Sequence, residues 1–364
     1  MPKRVGYLYQ WMCSKDRIRK AIRIGSVRKH KRSDVAKVLA NEDKYVDKVY
    51  DLLVNHSFVP HEPRRAKRYD PCGRKWRDIE YVGFYPDGII HTLMVMAMEP
   101  VIMRGMYRWS CASVPGRGNS AARKYAQRAI RNDPKGTKYC CKMDIHHYYH
   151  SINRSILLRQ LERKIKDRDF IRLVSDIIST CKEGLGIGFF ICQWLANFHL
   201  EGLDRYITML PGVKYLVRNM DDIVIMGPNK RQLHRARIAI ETYLKENLEL
   251  KMKGNWQVFP LRSRPLDFIG YKFYRDHTTL RRRNFLSLTR QARRAQKLVY
   301  AGREIYFHLA ASLLSRIGML VHCDGLKIRQ KYIDPIGINR LKEVVRNESK
   351  RLSRSRLLQT GATA

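Results

Sequence analysis

Apolar side chains recur at helical spacing over several stretches of the chain. This spacing predicts four helices, which cover Val35–Leu53, Ser155–Glu183, Gln193–Leu210 and Lys230–Leu248. Residues 85–108 are apolar over most of their length, which predicts a further, buried helix whose first turn Asp87 can cap. Helices therefore make up much of the predicted structure.

Strand patterns occur in the middle of the chain. Lys138–Asp144 is predicted to form a short strand that ends in an acidic residue. Two β-rich runs, Tyr215–Arg218 and Ile223–Met226, flank the four residues Asn219–Asp222, and this spacing predicts a tight hairpin. Further strand is predicted over Leu266–Tyr274, and mostly helical patterning follows it. The pattern therefore indicates an α+β fold followed by a helical segment.

The charge of the chain points to a polyanionic partner. The 364 residues include 72 Lys and Arg against 33 Asp and Glu, a formal net charge of +39, and 44% of the residues are hydrophobic. The apolar share is sufficient for a buried core and excludes a disordered chain, and the length predicts about two to three domains. The positive surplus continues through residues 275–364, where 20 Lys and Arg stand against 6 Asp and Glu. Nucleic acid is therefore the first partner to expect.

Membrane and secreted classes find no support in the sequence. The longest uncharged run, Gly184–Leu200, contains polar residues and is shorter than the ~20 apolar residues that a spanning helix requires. The N-terminus lacks the apolar segment of a signal peptide. The eight cysteines are scattered without CxxC pairs, which favours reduced thiols and leaves open a zinc site built from distant Cys and His. We expect a soluble cytoplasmic protein without a membrane partner.

Three acidic residues are the strongest candidates for chemistry. Asp144 ends the first predicted strand, and Asp221 and Asp222 lie at the hairpin tip 77 residues later. Adjacent carboxylates raise each other's pKa, and a divalent cation removes that cost. Asp144 and Asp221 bridging two Mg²⁺ ions, or Mn²⁺, would form a site for in-line phosphoryl displacement. A solvated turn is the alternative interpretation of the Asp-Asp pair.

Five segments occur in a characteristic order between about residues 70 and 300. They are RKWRDI (74–79), CKMDIHHYYHSI (141–152), GLGIGFFICQWLANFHLEGLD (184–204), YLVRNMDDIVIMG (215–227) and LDFIGYKF (266–273). In this order they resemble the fingers strand, the first palm acid motif, the nucleotide-pocket loop and helix, the Tyr-x-Asp-Asp hairpin and the primer grip of reverse transcriptases. The resemblance implies a right-hand polymerase with an α+β fold, whose palm is an antiparallel sheet backed by helices.

The resemblance also implies a division of the chain. Residues 1–135 would form an N-terminal region with the fingers, residues 136–274 the palm, and residues 275–364 a basic helical thumb. The implied reaction is RNA-directed DNA synthesis, with an RNA template, a DNA or RNA primer and dNTPs as partners. A small basic helical accessory protein is a further partner implied by the most similar members.

Site residues follow from the matching motifs. Asp144, Asp221 and Asp222 would be catalytic, and together with Ile145 would contact the metal ions. The dNTP would contact Lys75, Arg77, Tyr149, Ile187, Gly188 and Gln193, with Tyr149 excluding a ribose 2′-OH. Primer and template would contact Arg117, Asn219, Met220, Gly270, Tyr271, Arg281, Arg282 and Arg283. Lys251 or Lys253 is the candidate general acid for the leaving pyrophosphate.

Two of these expectations have an alternative from the residues themselves. Arg117 in its Pro-Gly-Arg-Gly turn can contact a phosphate or simply lie on a surface turn. The cluster of His146, His147 and His150 beside Asp144 is more typical of exposed polar residues than of a metal site.

Within the family, the stretch from Ile187 to Gln193 resembles bacterial and phage enzymes of diversity-generating retroelements. Asn219, Gly186 and Cys192 depart from the Tyr, Pro and Ser of many relatives. An apolar side chain at Ile187 cannot make the hydrogen bond of a glutamine, and an error-prone polymerase is expected. The alternatives are an antiphage-defence or retron-like reverse transcriptase, and a non-catalytic RNA-binding relict of a polymerase.

Overall fold

The computed structural model describes residues 4–70 and 75–361, and for Lys75, Ser349 and residues 352–361 it describes the backbone alone. The chain divides into two compact units. The first comprises Met1–Tyr125 and Lys135–Pro260, and the second comprises Ala126–Pro134 and Leu261–Ala364. The range 136–274 that the sequence analysis assigns to a palm therefore includes parts of both units.

Helices form most of the first unit. They are α1 (Leu8–Met12), α2 (Lys15–Ser26), α3 (Ser33–Leu39), α4 (Glu42–Val54), α5 (Ile89–Met103), α6 (Gly118–Asn132), α7 (Tyr148–Ser151), α8 (Arg154–Glu162), α9 (Arg168–Ser179), α10 (Phe190–His199), α11 (Glu201–Met209) and α12 (Lys230–Leu248). The boundary between the units falls within α6. Burial of the apolar faces of these helices gives one large hydrophobic core.

Two antiparallel sheets complete the first unit. A hairpin of β1 (Arg64–Asp70) and β2 (Lys75–Tyr81) stands apart from a four-stranded sheet. The strands of that sheet are β3 (Tyr139–Asp144), β4 (Tyr215–Asn219), β5 (Asp222–Gly227) and β6 (Gln257–Pro260). Their order is β4-β5-β3-β6, so the central strands β5 and β3 carry the candidate acids at their ends. The α+β fold class predicted from the sequence is confirmed.

The second unit combines a small sheet with long helices. Its strands are β7 (Leu266–Phe268), β8 (Tyr271–Phe273) and β9 (Thr278–Leu280), and its helices are α13 (Arg282–Tyr300), α14 (Phe307–Leu320), α15 (Leu326–Tyr332) and α16 (Ile338–Gly361). The strand structure predicted over Leu266–Tyr274 is present as the hairpin of β7 and β8, in which Ile269 and Gly270 adopt positive φ and turn the chain back. The helical C-terminal patterning is confirmed.

Three of the predicted helices are each divided into two shorter helices. The helix predicted over Val35–Leu53 is α3 and α4, with a break at Ala40 and Asn41. The helix predicted over Ser155–Glu183 is likewise α8 and α9, and the one over Gln193–Leu210 is α10 and α11. Apolar spacing continues across each break, so periodicity alone conceals them.

The capping role predicted for Asp87 is wrong. The buried helix α5 begins at Ile89 and ends at Met103, and its first residue has no side-chain cap. The Asp87 carboxylate is buried, accepts a hydrogen bond from the His61 backbone N–H at 3.0 Å, and lies 2.8 Å from His61 Nδ1. It therefore anchors the segment before β1 instead of the helix.

No helix within the described ranges is both long and apolar enough to cross a membrane. The cysteines of the same ranges are free thiols.

Candidate active site

The three acids converge because of how three strands pair. In the sheet register Asp144, the last residue of β3, lies opposite Asp222, the first residue of β5. Asn219 and Asp222 pair across the β4–β5 hairpin, which leaves Met220 and Asp221 as a two-residue tip. The tip is two residues shorter than the four-residue connection predicted. Met220 adopts the left-handed region with φ 59°, and this conformation closes the turn.

The electrostatics of the tip show that the acids lie close together. Burial, together with the neighbouring Asp144 and Asp222 carboxylates, raises the pKa of Asp221 to about 6, and Lys253 opposes the shift. The Lys253 ammonium donates to the Asp144 carboxylate. The Lys142 ammonium lies 3.8 Å from Asp222 Oδ1. The site is therefore a concentration of negative charge that nearby lysines offset only in part.

Tyr149 lies directly beside the tip. It belongs to the short helix α7, and its hydroxyl faces the Met220 Sδ at 3.8 Å. Burial raises the pKa of the Tyr149 hydroxyl, and the thiol of Cys192 and the charge of Asp221 raise it further. The ring is therefore a neutral, half-buried wall of the space in front of Asp221.

The glycine-rich segment 184–188 is held against two neighbouring backbones. A Cβ added at Gly184, whose φ is +48°, would lie 2.2 Å from the Tyr149 carbonyl oxygen. A Cβ added at Gly188, whose φ is +128°, would lie 2.3 Å from the Glu80 carbonyl oxygen. The Ile187 carbonyl accepts a hydrogen bond from the Glu80 N–H at 3.0 Å. The glycines therefore allow the loop to pack closely against these two backbones.

A charged cavity of about 590 Å³ lies next to this loop. Its walls come from the β1–β2 hairpin, from the segment after Asp144 and from the end of α9, and its lining includes Arg65, Lys67, Asp78, Glu80, His147, His150 and Lys182. Of the cluster of three histidines, His146 and His147 are exposed. The exposed Arg77 pairs with Asp70 at 2.9 Å, and the side chain of Lys75 lies outside the described residues.

A sequence profile described as "Reverse transcriptase (RNA-dependent DNA polymerase)" matches residues 89–273 of the chain. The chain belongs to the reverse transcriptase family. The matched range includes the three converging acids, Tyr149 and the glycine-rich loop. The α+β architecture described above is thus a reverse transcriptase fold.

The chain is also similar, at low identity, to one curated protein and to solved structures. "Uncharacterized mitochondrial protein ymf11" of Marchantia polymorpha is 26% identical over 158 residues, which cover 42% of this chain and 19% of that protein. The chain thus spans about a fifth of the length of this curated relative. Among solved structures, apo telomerase from Candida tropicalis, truncated from its C-terminal domain, aligns with 12% identity and a TM-score of 0.45 over 62% of this chain and 55% of that one. Telomerase from Candida albicans in complex with a fragment of telomeric RNA aligns with 10% identity and a TM-score of 0.43, over 81% of this chain and 58% of that one.

The donor set of this reverse transcriptase suits a hard divalent cation. Within residues 4–70 and 75–361, no three side chains among His, Cys, Asp and Glu form a metal-binding group, and the zinc alternative finds no ligand set there. Magnesium in polymerase-type sites commonly uses one or two carboxylates and completes its shell with water and substrate phosphates. Burial and the neighbouring Asp144 carboxylate raise the pKa of Asp221 and so disfavour its ionised form, and a bound cation would offset that cost. The carboxylates of Asp144 and Asp221 are therefore suitable ligands for Mg²⁺.

Ile145 can contribute only its main chain. Its side chain is buried, and it pairs with Met252 in an isolated antiparallel bridge. The flanking bonds are Lys253 N–H to the Asp144 carbonyl and His146 N–H to the Lys251 carbonyl, both 2.8 Å. Because alternate residues of a strand direct their backbone groups to opposite edges, the Ile145 carbonyl points away from Met252, towards the side of the hairpin tip.

The two candidate general acids differ in position. Lys253 contacts the Asp144 carboxylate directly, whereas Lys251 is exposed and contributes its carbonyl to the bond with His146. Lys253 is therefore the lysine that this reverse transcriptase places at the acids.

Arg117 is occupied within its own loop. Its Nη1 donates to the Tyr107 carbonyl at 2.8 Å and to the Ser110 carbonyl at 3.4 Å. This bonding supports the surface-turn interpretation of the Pro-Gly-Arg-Gly segment over a phosphate contact.

The predicted primer-grip and thumb residues all lie in the second unit. Gly270, with φ +91°, turns the β7–β8 hairpin, and the buried Tyr271 donates from its hydroxyl to the Met319 carbonyl at 3.3 Å. Arg281 precedes α13 and pairs with Asp267. Arg282 is exposed and Arg283 is half-buried. Of the three arginines, Arg282 is thus the most available to a phosphate.

The remaining pocket residues lie near the glycine-rich loop. Gln193 is half-buried on α10, and Gly188 is exposed. Asn219 is half-buried, and its buried Oδ1 has no hydrogen-bond partner.

Sequence reasoning missed the largest buried polar group of the site. Arg218 on β4 has no exposed surface, and its guanidinium forms an ion pair with the equally buried Asp204 on α11. The signal was an arginine that directly follows apolar residues in a predicted strand, where a buried charged side chain requires a partner.

Truncating Tyr149 should weaken discrimination against ribonucleotides. The ring stands beside Met220 at the tip, so its removal opens space at the position expected for the sugar. We expect Tyr149→Ala to raise the rNTP-to-dNTP ratio of kcat/KM by about tenfold or more, which corresponds to about 1.4 kcal/mol. Primer extension with each sugar measures the ratio. Tyr300→Ala, at a tyrosine that is 77% exposed, is the control. Equal use of dNTPs and rNTPs by the unmodified protein would contradict the role of Tyr149 in excluding ribonucleotides.

Proposed function

We propose that the chain synthesises DNA on an RNA template by two-metal nucleotidyl transfer. The observation that carries the proposal is the convergence of Asp144, Asp221 and Asp222 at a two-residue hairpin tip beside Tyr149. Acids from two separate segments of the chain, brought together by strand pairing, suit a reaction that needs bridging carboxylates.

In the proposed reaction the primer 3′-oxygen forms a bond to the α-phosphorus of a dNTP, and the bond from that phosphorus to the β-phosphate oxygen breaks. Asp144 and Asp221 would hold the two divalent ions, with support from Asp222 and the Ile145 carbonyl. When bound, such ions lower the pKa of the 3′-hydroxyl and neutralise the phosphate oxygens. Lys253, already at Asp144, is positioned to give a proton to the departing pyrophosphate.

The charged cavity beside the glycine-rich loop is the proposed place for the triphosphate. Its walls carry the positive charges of Arg65, Lys67 and Lys182 beside three carboxylates, one of which, Glu80, pairs with Arg65, and two histidines add donors. Arg77 and Lys75, on the opposite strand of the same hairpin, would reach the phosphates from the fingers. Cationic side chains around a transferring phosphate stabilise its negative charge.

The second unit is proposed to grip the duplex of template and primer. Its net positive charge and the exposed Arg282 at the start of α13 suit contacts to phosphates. We propose the assignment of fingers, palm and thumb on this basis, with the palm acids in the first unit.

The type of reverse transcriptase is proposed from the Ile187–Gln193 stretch. It supports an error-prone enzyme of a diversity-generating retroelement, assisted by a small basic helical protein in a bacterial or phage-infected cell. The second candidate is an antiphage-defence or retron-like enzyme that copies a dedicated RNA. A template and variable repeat pair next to the gene would favour the first.

Fidelity tests the role of Ile187. Its side chain is apolar and half-buried, and it offers no hydrogen bond to a correctly paired nucleotide. We expect Ile187→Gln to lower the error frequency by up to about tenfold, the factor that corresponds to about 1.4 kcal/mol. Sequencing of cDNA products measures it, with Ile238→Gln at an exposed position of α12 as the control. An unmodified enzyme that already copies with high fidelity would end this proposal.

Primer extension on an RNA template tests the function as a whole. The protein should extend a labelled primer with dNTPs in Mg²⁺ or Mn²⁺, and Asp221→Ala/Asp222→Ala should not. Normal RNA affinity without extension in either ion would instead identify a non-catalytic relict.

A further inference from the structure

Arg218 is the most completely bonded side chain near the hairpin tip. Its Nε donates to Asp204 Oδ1 and its Nη2 to Asp204 Oδ2, both at 2.6 Å. Nη2 also reaches the Asn197 carbonyl at 3.3 Å, and Nη1 reaches Asn197 Oδ1 at 3.4 Å. The remaining donation runs from Nη1 to the Met220 carbonyl at 3.0 Å. A guanidinium has five N–H groups, and here each has an acceptor.

The backbone of Arg218 is fixed from the other side. Its N–H donates to the Trp109 carbonyl at 3.0 Å, and its carbonyl accepts from the Cys111 N–H at 2.9 Å. The side chain and backbone of this one residue therefore connect β4 with the 109–111 segment, with α10 and with α11. Such a residue has a single possible position relative to the sheet.

The contact with the Met220 carbonyl is the one that concerns the chemistry. Met220 adopts φ 59°, a conformation that residues other than glycine rarely adopt without support. Its carbonyl belongs to the peptide that joins Met220 to Asp221. A bond to this carbonyl fixes the orientation of that peptide, and with it the direction in which the Asp221 side chain leaves the tip.

Stability does not account for the buried ion pair. Replacing a buried ion pair with apolar residues of similar volume is often neutral or stabilising, because desolvation of the two charges offsets their attraction. What an apolar pair cannot provide is a donor to the Met220 carbonyl. The arrangement is thus better explained by geometry at the tip than by a contribution to folding.

We propose that Arg218 is a positioning residue, whose guanidinium, held by Asp204 and Asn197, fixes the Met220–Asp221 peptide so that the Asp221 carboxylate stays beside Asp144. The proposal rests on the proposed function in that these two acids hold the divalent ions. Residues that orient metal ligands through hydrogen bonds typically change metal affinity or activity by about 10–100-fold when they are replaced.

Two variants separate positioning from folding. Arg218→Lys keeps the charge and loses the planar fork, and Arg218→Met/Asp204→Leu replaces the pair with apolar side chains of similar volume. Arg237→Lys is the matched control, since Arg237 on α12 is 13% exposed and pairs with Glu241 away from the acids. Thermal unfolding is recorded for each.

The first readout is Mn²⁺ binding to the protein with primer and template, followed by the electron paramagnetic resonance signal of free Mn²⁺. We expect about tenfold weaker binding in both test variants and no change in Arg237→Lys. The second readout is steady-state extension, where kcat should fall by about 10–100-fold with the dNTP KM within about twofold.

Wild-type Mn²⁺ affinity and kcat in a folded test variant would overturn the proposal. Loss of cooperative unfolding in both test variants would also overturn it, because the pair would then be a requirement of the fold. If the unmodified protein makes no DNA, the proposed function fails, whereas the Mn²⁺ measurement still decides the role of Arg218.

Discussion

Replacing Asp144 with Asn is expected to lower the rate of DNA synthesis by about a thousand-fold or more, with little change in affinity for RNA. Asp144 ends β3 opposite Asp222, and it is one of the two carboxylates proposed to bridge the ions. Asn keeps the size of the side chain but removes the negative charge. A loss of about 4 kcal/mol of transition-state stabilisation corresponds to a factor of about a thousand.

The affinity for RNA should persist because it depends on other residues. Lys and Arg contacts to phosphates supply most of the binding free energy of such proteins, and Asp144 is not among them. Single-turnover extension measures the rate, and filter binding at fixed salt measures the affinity. Asp16→Asn, at a side chain with 95% exposure, is the matched control. Extension by Asp144→Asn at more than a few per cent of the normal rate would contradict the two-metal assignment.

Substituting Gly184 with Ala is expected to be the most damaging small change in the nucleotide pocket. Two costs add: the left-handed φ of +48° disfavours a Cβ by about 1 kcal/mol, and overpacking against the Tyr149 carbonyl adds about 2 kcal/mol. We therefore expect the free energy of unfolding to fall by about 3 kcal/mol. Because the Tyr149 segment must shift, discrimination between dNTPs and rNTPs should weaken as well.

Gly116 offers a control that isolates the first of these costs. Its φ is +71°, and an added Cβ would meet no atom within 4 Å. Gly116→Ala should therefore cost only about 1 kcal/mol. Urea unfolding of both variants measures the difference, and ratios of kcat/KM for the two sugars measure the shift of Tyr149. Equal destabilisation of the two variants would show that the loop yields to the added methyl group.

The β4–β5 hairpin could be predicted because its signals are local. Short β-rich runs on either side of an Asp-Asp turn predict two strands with both acids at their connection. The position of Asp144 could be predicted for the same reason, since the short strand that it ends is visible in the local sequence pattern. Family resemblance then supplied the pairing between these distant segments.

Other features depend on partners far away in sequence, and no local pattern reveals them. Asp87 is of a residue type, and at a position, typical of a helix cap, yet its carboxylate contacts the side chain of His61, 26 residues earlier. The close packing at the glycines of positions 184 and 188 is equally hidden, because the backbones of Tyr149 and Glu80 that approach them cannot be inferred from spacing. The turn sequence around Arg117 is compatible with a phosphate contact, and the carbonyl groups that its guanidinium contacts cannot be inferred from that sequence.

The strand order β4-β5-β3-β6 also has a consequence for how the protein is made. Asp144 lies opposite Asp222, the first residue of β5, and the strand β3 that carries Asp144 also pairs with β6, so the site is assembled from non-local pairings. Non-local pairings form slowly, because the entropy of closing long loops must be overcome first. During synthesis on the ribosome, β3 emerges with both edges unpaired and stays so until β5 and then β6 have followed. The nascent first unit therefore exposes an apolar strand for the whole of that interval, when it depends most on protection from aggregation.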